Sequence, residues 1–340
     1  MKPYPLTAQT VYSDLLARLQ DDALIAIPGS PKLIERSERF YWYTTQRFAG
    51  AVRNTYLGPD SPELRQRIER TREQAAGLKA RDRERGRFVR MLREAGYPSP
   101  DAQTGKVLSA LAKAGAFRLR AVLVGSHAFG CYPAILGRPL ESAIAKTEDI
   151  DLAQHYTISL ALDDRMDPAF AEVLQSVETF RPRPSPRHYA KSSGWRGESG
   201  TAVELLTTMK RESDRDELIE LKALGAFAQP LPFLDFLIQD PIPAAVLYRY
   251  GVLVNVPQPA RYAVHKLIVA TRRRAQAEKV RKDIAQAADL IAASAELNGS
   301  PDDITVAYEE ARSRGPKWKS ALAAGVRRLP QPARDLLLAA

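Results

Sequence analysis

The sequence predicts a mixed α/β core enclosed by helical regions at both ends, and three observations predict it. Strand-like and helical runs alternate between residues 118 and 256, charged or amphipathic helical patterns dominate what comes before, and helical periodicity returns from Pro259 onward. The expected organisation is a helical region over 1–116, a core over 117–256 and a second helical region over 257–340.

Taken in order, residues 8–26 and 33–55 carry apolar faces at helical spacing and predict two helices. Arg67 to Arg93 predicts one long charged helix that stops before Gly96-Tyr97-Pro98. Its arginines are interrupted by Glu69, Glu73, Asp82 and Glu84, so exposed ion pairs are the plain reading and a surface that collects RNA or DNA is the alternative. Residues 105–116 predict a further helix. In the core, Arg118 to Val124, Ile150 to Gln154, Thr157 to Leu162, Ala202 to Leu206 and Leu247 to Val256 read as strands, the last bent into a hairpin at Gly251. A helix is expected near Pro168 to Ser176. Arg181 to Arg187 and Ser192 to Gly197 read as loops, the first a proline-rich connector whose arginines can reach a ligand. Arg261 to Gln276, Glu278 to Leu297 and shorter helices after Asp302 complete the chain, with Pro330 and Pro332 limiting the last one.

A chain of 340 residues with 45% hydrophobic content can bury substantial cores in two or three domains. The lone Cys131 excludes an intramolecular disulfide, and His127, His155, His188 and His265 lack zinc-like spacing, which argues against zinc and thiol chemistry. His127 reads first as a structural hydrogen-bonding residue. The amino terminus has no signal-peptide core and no segment is long enough to span a bilayer, so a cytoplasmic protein without a membrane partner is expected. The net charge of +10 calls for an anionic partner, and the cluster Arg272, Arg273, Arg274, Lys279, Arg281 and Lys282 is well placed in sequence to serve one.

The chemistry concentrates between residues 124 and 152. Ala121 to Val124 is a short apolar run followed at once by Gly125-Ser126, and a glycine lets backbone amides and a serine hydroxyl approach phosphate closely. By itself the dipeptide is most often an ordinary turn. Asp149 and Asp151 alternate along a strand, so their carboxylates share a face while Ile150 and Leu152 point into the core. Two like charges so close repel unless a cation intervenes, and hard oxygen donors suit Mg²⁺ or Mn²⁺. A solvated strand end is the plainer alternative. Glu204 is embedded in the apolar run Ala202-Val203-Glu204-Leu205-Leu206, where an uncompensated charge is costly, so it can bind a metal or take a proton; an edge strand with a wet polar face is the alternative.

These residues resemble a known family. Gly125-Ser126-x-Ala128-Phe129 with Tyr132 and Gly137, then Thr147-x-Asp149-Ile150-Asp151-Leu152, is similar to the bacterial nucleotidyltransferases of the DNA polymerase β superfamily. Val203-Glu204-Leu205-Leu206-Thr207 resembles the strand bearing the third carboxylate, and Val256-Pro257 through Leu267 resembles the helix start that follows it. Lys282-Asp283-x-x-Gln286-Ala287 resembles the Lys-Asp motif of abortive-infection-type nucleotidyltransferase toxins, and Tyr41-Trp42-Tyr43 and Tyr56-Leu57-Gly58-Pro59 also look familial. Glu204 stands where aspartate is common.

The resemblance implies a polymerase β-like core with a mixed sheet, flanked by the two helical regions. It implies a nucleoside triphosphate substrate such as ATP, bound by Gly125, Ser126, Lys266 and Lys282. Asp149, Asp151 and Glu204 would be both the catalytic residues and the ligands of Mg²⁺ or Mn²⁺, and an acceptor hydroxyl would attack the α-phosphorus and expel pyrophosphate. The acceptor is open among an RNA end such as a transfer RNA, a protein hydroxyl and a small molecule, and a toxin-like or defence role with a cognate antitoxin is part of the same implication. Two other readings stand beside it: a non-catalytic module that binds nucleic acid or a partner on the same fold, and a kinase-like transferase attacking the γ-phosphate.

Overall fold

The computed structural model describes residues 2–25, 30–36, 38–48, 51–144, 149–161, 164–184, 191–209, 211, 217–273, 277–296 and 301–339. Thr147, Ser185 to His188 and Arg274 lie outside the described residues, as do Leu162, Gln276 and Leu297 at the ends of expected elements. The amino-terminal flank opens with helix α1 (Leu6–Ile25), and the helix expected over 33–55 is instead an antiparallel meander of β1 (Ser30–Arg36), β2 (Arg39–Phe48) and β3 (Ala51–Pro59). Composition explains the difference. Tyr41-Trp42-Tyr43-Thr44-Thr45 is aromatic and β-branched, and burial alternates with a period of two: Trp42 and Thr44 are buried while Tyr41, Tyr43 and Thr45 stay partly exposed.

Trp42 packs on Ile68 of the long helix α2 (Pro62–Glu94), and its indole N–H donates to Asp60 at 2.8 Å. Ser61 caps α2 by accepting from the Leu64 amide at 3.2 Å, and Pro62 at the first position suits the helix start. Ion pairs tie α1 to α2: Arg18 of α1 with Glu84 at 2.9 Å, and from the basic run on α2 Arg81 with Asp22 at 3.4 Å and the buried Arg85 with Asp22, Arg85 also pairing with Asp82 on its own helix. Helix α3 (Ala102–Lys113) follows, capped by Asp101, whose carboxylate accepts from the amides of Gln103 at 2.8 Å and Thr104 at 2.9 Å.

The core is a seven-stranded mixed sheet. Strand β4 (Val122–Val124) is antiparallel to β5 (Asp149–Gln154), and the two are linked through α4 (Gly125–Phe129), α5 (Tyr132–Ile135) and a 3-10 turn over Glu141–Ile144. After β5 come α6 (Tyr156–Ala161), α7 (Phe170–Gln175), β6 (Phe180–Arg183), β7 (Gly194–Gly197) and β8 (Ala202–Thr208). β5 runs parallel to β8; β7 pairs antiparallel with the first half of β8, and β6 with β7. β9 (Ile219–Leu221) and β10 (Ala226–Leu231) close the other edge, β10 lying parallel to the second half of β8 and antiparallel to β9.

Three core expectations change. The described part of Thr157 to Leu162 is helical where the sequence predicts a strand: a short apolar run cannot distinguish strand from buried helical turn, and here the buried Ser159 hydroxyl accepts from the Ala223 amide at 2.9 Å. The two loops at 181 and 192 contribute β6 and β7, and Pro182 is tolerated because β6 is an edge strand. Residues 247–256 hold only one strand, β12 (Val252–Val256), which pairs across the Gly251 turn with β11 (Ile242–Val246) after the short helix α8 (Leu234–Leu237).

The carboxy-terminal flank is helical as expected: α9 (Pro259–Arg272), α10 (Ala277–Glu296), α11 (Pro301–Ser313), α12 (Pro316–Val326) and α13 (Gln331–Ala339). α9 is the hub, buried through Tyr262, Ala263, Val264, Leu267 and Ile268 and packed by α10, α11 and α12. One apolar core runs from Val124, Ile150, Leu152, Val203 and Leu205 of the sheet to Leu267, Leu290 and Leu322 of these helices. Among the described residues no helix is long and apolar enough to cross a membrane.

Candidate active site

Strand register assembles the acids. Val124 pairs with Asp151, Asp151 with Glu204, and Asp149 with Ala202, so the end of β4 meets the beginnings of β5 and β8. Directly paired residues share a face, which places Asp151 and Glu204 side by side with Asp149 two residues upstream. Ile150 and Leu152 are fully buried on the opposite face. Gly125 takes φ +66° immediately after β4, and a Cβ there would sit 2.4 Å from Asp151 Oδ2. Only a residue without a side chain lets this turn rest against the carboxylate.

Burial, then the like charges of Glu204 and Asp149, push the Asp151 carboxyl up to about 6, while Lys266 and Arg273 pull it back. Glu204 is ion-paired with Arg183 from β6. Gly194 of β7 lies opposite Glu204 and leaves room for that crossing, since a Cβ on it would come within 2.9 Å of the Arg183 guanidinium. The pair is exposed by about two fifths on each side, 44% and 41%, so screening keeps it weak and exchangeable.

The predicted phosphate-binding lysines occupy different settings. Lys266 on α9 is buried and donates to Asp283 Oδ1 at 2.6 Å, and Arg273 Nε lies 2.9 Å from Asp283 Oδ2. Burial lowers the Lys266 ammonium, with Asp283 opposing the shift. Its charge is therefore committed to Asp283, and it reaches Asp151 through the field rather than by contact. Lys282 on α10 is half-buried; burial lowers it too, and Asp283 and Asp149 are among the anions that oppose the shift. Lys282 thus shares the field of Asp149. Ser126 is half-buried at the start of α4.

The Gly125 turn is held from the carboxy-terminal flank. Tyr262 Oη donates to the Gly125 carbonyl at 2.9 Å, with Gln286 Oε1 3.2 Å away, and Tyr132 Oη donates to the Pro257 carbonyl at 3.0 Å. The rings of Phe129, Tyr132 and Tyr262 pack with centroids 5.2 to 5.9 Å apart. Burial raises both tyrosine hydroxyls well above their usual range, so they remain protonated donors. His127 was expected to make a structural hydrogen bond. Burial lowers it to about 4, and its buried Nε2 has no hydrogen-bond partner among the described residues.

Three carboxylates gathered by register, one of them raised by burial and then by its neighbours' charge, form a donor set suited to Mg²⁺ or Mn²⁺. Among the described residues no three acid, histidine or cysteine side chains are drawn tightly enough to hold a metal ion as they stand, and Glu204 is turned to Arg183. Sequence reasoning named Arg183 and Asp283 without their roles. The Arg183 contact depends on a cross-strand pairing that no local pattern reveals. Asp283 left a signal: it shares the apolar stripe of α10 with the buried Ala287, Leu290 and Ile291.

A family model described as Nucleotidyltransferase matches residues 102–313. No curated protein matches the chain. Among solved structures, the chain resembles the crystal structure of an antigenic nucleotidyltransferase-like protein from Paracoccidioides brasiliensis. The identity is 18% and the TM-score 0.34, with 67% of this chain and 95% of that one covered.

Proposed function

The chain belongs to the nucleotidyltransferase family, and we propose that it moves a nucleoside monophosphate from a nucleoside triphosphate to an acceptor hydroxyl, releasing pyrophosphate. The observation that carries this reading is the Asp151 carboxylate, set by register beside Glu204 and pressed against a turn where only glycine fits.

In this proposal the Gly125-Ser126 turn presents amides and a hydroxyl to the phosphates, and Lys282 adds positive charge beside Asp149. The buried Lys266–Asp283 pair, joined by the partly exposed Arg273, forms a cluster that fixes α9 to α10 and lends its positive field to Asp151. Asp149, Asp151 and Glu204 would hold the divalent cation, which when bound activates the acceptor hydroxyl and neutralises charge developing on the α-phosphoryl group. Glu204 joins that set by exchanging its exposed pairing with Arg183, which frees a guanidinium for an anionic reactant.

The test is incubation with each α-³²P-labelled nucleoside triphosphate, Mg²⁺ and total cellular RNA or protein, comparing wild type with Asp149→Ala/Asp151→Ala. Label on one acceptor class from wild type alone, with free pyrophosphate, is the expected result. Label from both proteins, from neither, or only when the γ-phosphate carries it overturns the reading.

A further inference from the structure

The amino-terminal meander lies outside the matched residues 102–313 and has one face that nothing in the proposed chemistry uses. On its back Trp42 and Thr44 are buried and Trp42 packs on Ile68, while Leu33 and Phe40 stay 38% and 46% exposed. Its front carries Tyr41, Tyr43 and Tyr56. The ring of Tyr56 lies 5.4 Å from that of Tyr43 and 6.1 Å from that of Tyr41, and Tyr56 is 52% exposed. The rings are inclined to one another by 50° and 63°, and the Arg36 guanidinium sits over the Tyr43 ring at 5.3 Å, which adds a cation to the cluster.

Charge is sorted between the two faces. Pairing of β1 with β2 sets Lys32 against Tyr43 and Arg36 against Arg39, so strand alternation brings these three cations to the tyrosine face. Glu35 alternates to the other side, and the described residues of the tyrosine face include no carboxylate. Cross-strand aromatic pairs alone would stabilise a sheet without such sorting. Aromatic planes interleaved with cations on an open sheet are what a single-stranded nucleic acid needs, since bases stack on the rings and phosphates meet the charges. At one end Thr45 Oγ1 and Asn54 Oδ1 are hydrogen-bonded at 2.8 Å, and with the tyrosine hydroxyls they offer polar partners to a ribose 2′-hydroxyl.

We propose that this face binds single-stranded RNA and holds the acceptor strand of the transfer reaction. The inference rests on the transferase reading for the word acceptor and on the meander alone for binding.

The test measures fluorescence anisotropy of a labelled unstructured RNA of about 12 nucleotides, within the span such platforms cover, on the full-length protein without nucleotide. Tyr56→Ala should weaken binding about tenfold or more, Tyr56→Phe should leave it near wild type, and circular dichroism should show both variants folded. Lys32→Ala/Arg36→Ala should flatten the dependence of log affinity on log salt by about 0.7 per charge removed. Asp149→Ala/Asp151→Ala should bind like wild type, so loss of transfer in that variant and loss of binding in Tyr56→Ala test the two readings separately. Undiminished RNA binding by folded Tyr56→Ala overturns the proposal. Equal binding of the DNA of the same sequence, or a concentration-dependent dimer abolished by Tyr56→Ala, also overturns it.

Discussion

Replacing Gly125 by alanine tests the geometry on which the proposed chemistry depends. The new Cβ would stand 2.4 Å from Asp151 Oδ2, where real contacts are at least 3.0 Å, so the carboxylate must retreat by about 0.6 Å or the turn must move away from it. The backbone also carries φ +66°, a left-handed conformation that costs a side-chain-bearing residue about 1–2 kcal/mol. Stability should therefore fall by about that amount, a melting point lower by about 1–3 °C. Displacements approaching 1 Å at a reacting centre cost up to about 100-fold. Nucleotidyl transfer should accordingly drop by about 10- to 100-fold at a temperature where circular dichroism shows the variant fully folded. Transfer at the wild-type rate by folded Gly125→Ala would refute the reasoning, as would a loss that merely tracks the unfolded fraction.

Asp283→Asn should leave the buried Lys266 without its anion and the partly exposed Arg273 without its partner, costing about 3–5 kcal/mol in urea unfolding, and a change under about 1 kcal/mol would show that the cluster is not a structural tie. Tyr262→Phe keeps the ring packing and deletes the donor to the Gly125 carbonyl; a stability loss of about 0.5–1.5 kcal/mol with lowered transfer is expected, and unchanged transfer would sink the anchoring role. Burial holds His265 at about 3 in the folded chain against about 6.5 when unfolded. Below about pH 6.5 the unfolded chain binds a proton that the folded chain refuses. Stability is therefore full above that pH and falls by up to about 1.4 kcal/mol per pH unit as pH drops towards 3. His265→Gln should flatten the urea-midpoint profile between about pH 6.5 and 4.5, and an unaltered slope would contradict the assignment.

The acids were legible because their signal is local. Asp149 and Asp151 show their common face by alternation, and Glu204 stands out as a charge in an apolar run. The carboxy-terminal helices were legible for the same reason, since α10 carries its apolar stripe over many turns. The meander at 30–59 was missed because Tyr, Trp and Thr at mixed spacing satisfy a helical apolar count while their branching and ring size favour paired strands. The β6–β7 pairing was missed because Pro182 and Gly194 announce turns, and only an edge position and a crossing arginine give them a place in a sheet. The setting of Lys266 was beyond sequence altogether, because its partner Asp283 and the neighbouring Arg273 meet it only once α9 and α10 have packed.

The bond from Tyr262 to the carbonyl of Gly125 joins residues 137 positions apart. During synthesis, β4, β5 and β8 leave the ribosome well before α9, and α10 with Asp283 later still. A nascent chain can therefore carry all three acids with the turn beside them still unanchored. The turn gains this anchor only after α9 has been made, so the acids and the element that steadies the turn beside them enter the fold at different times.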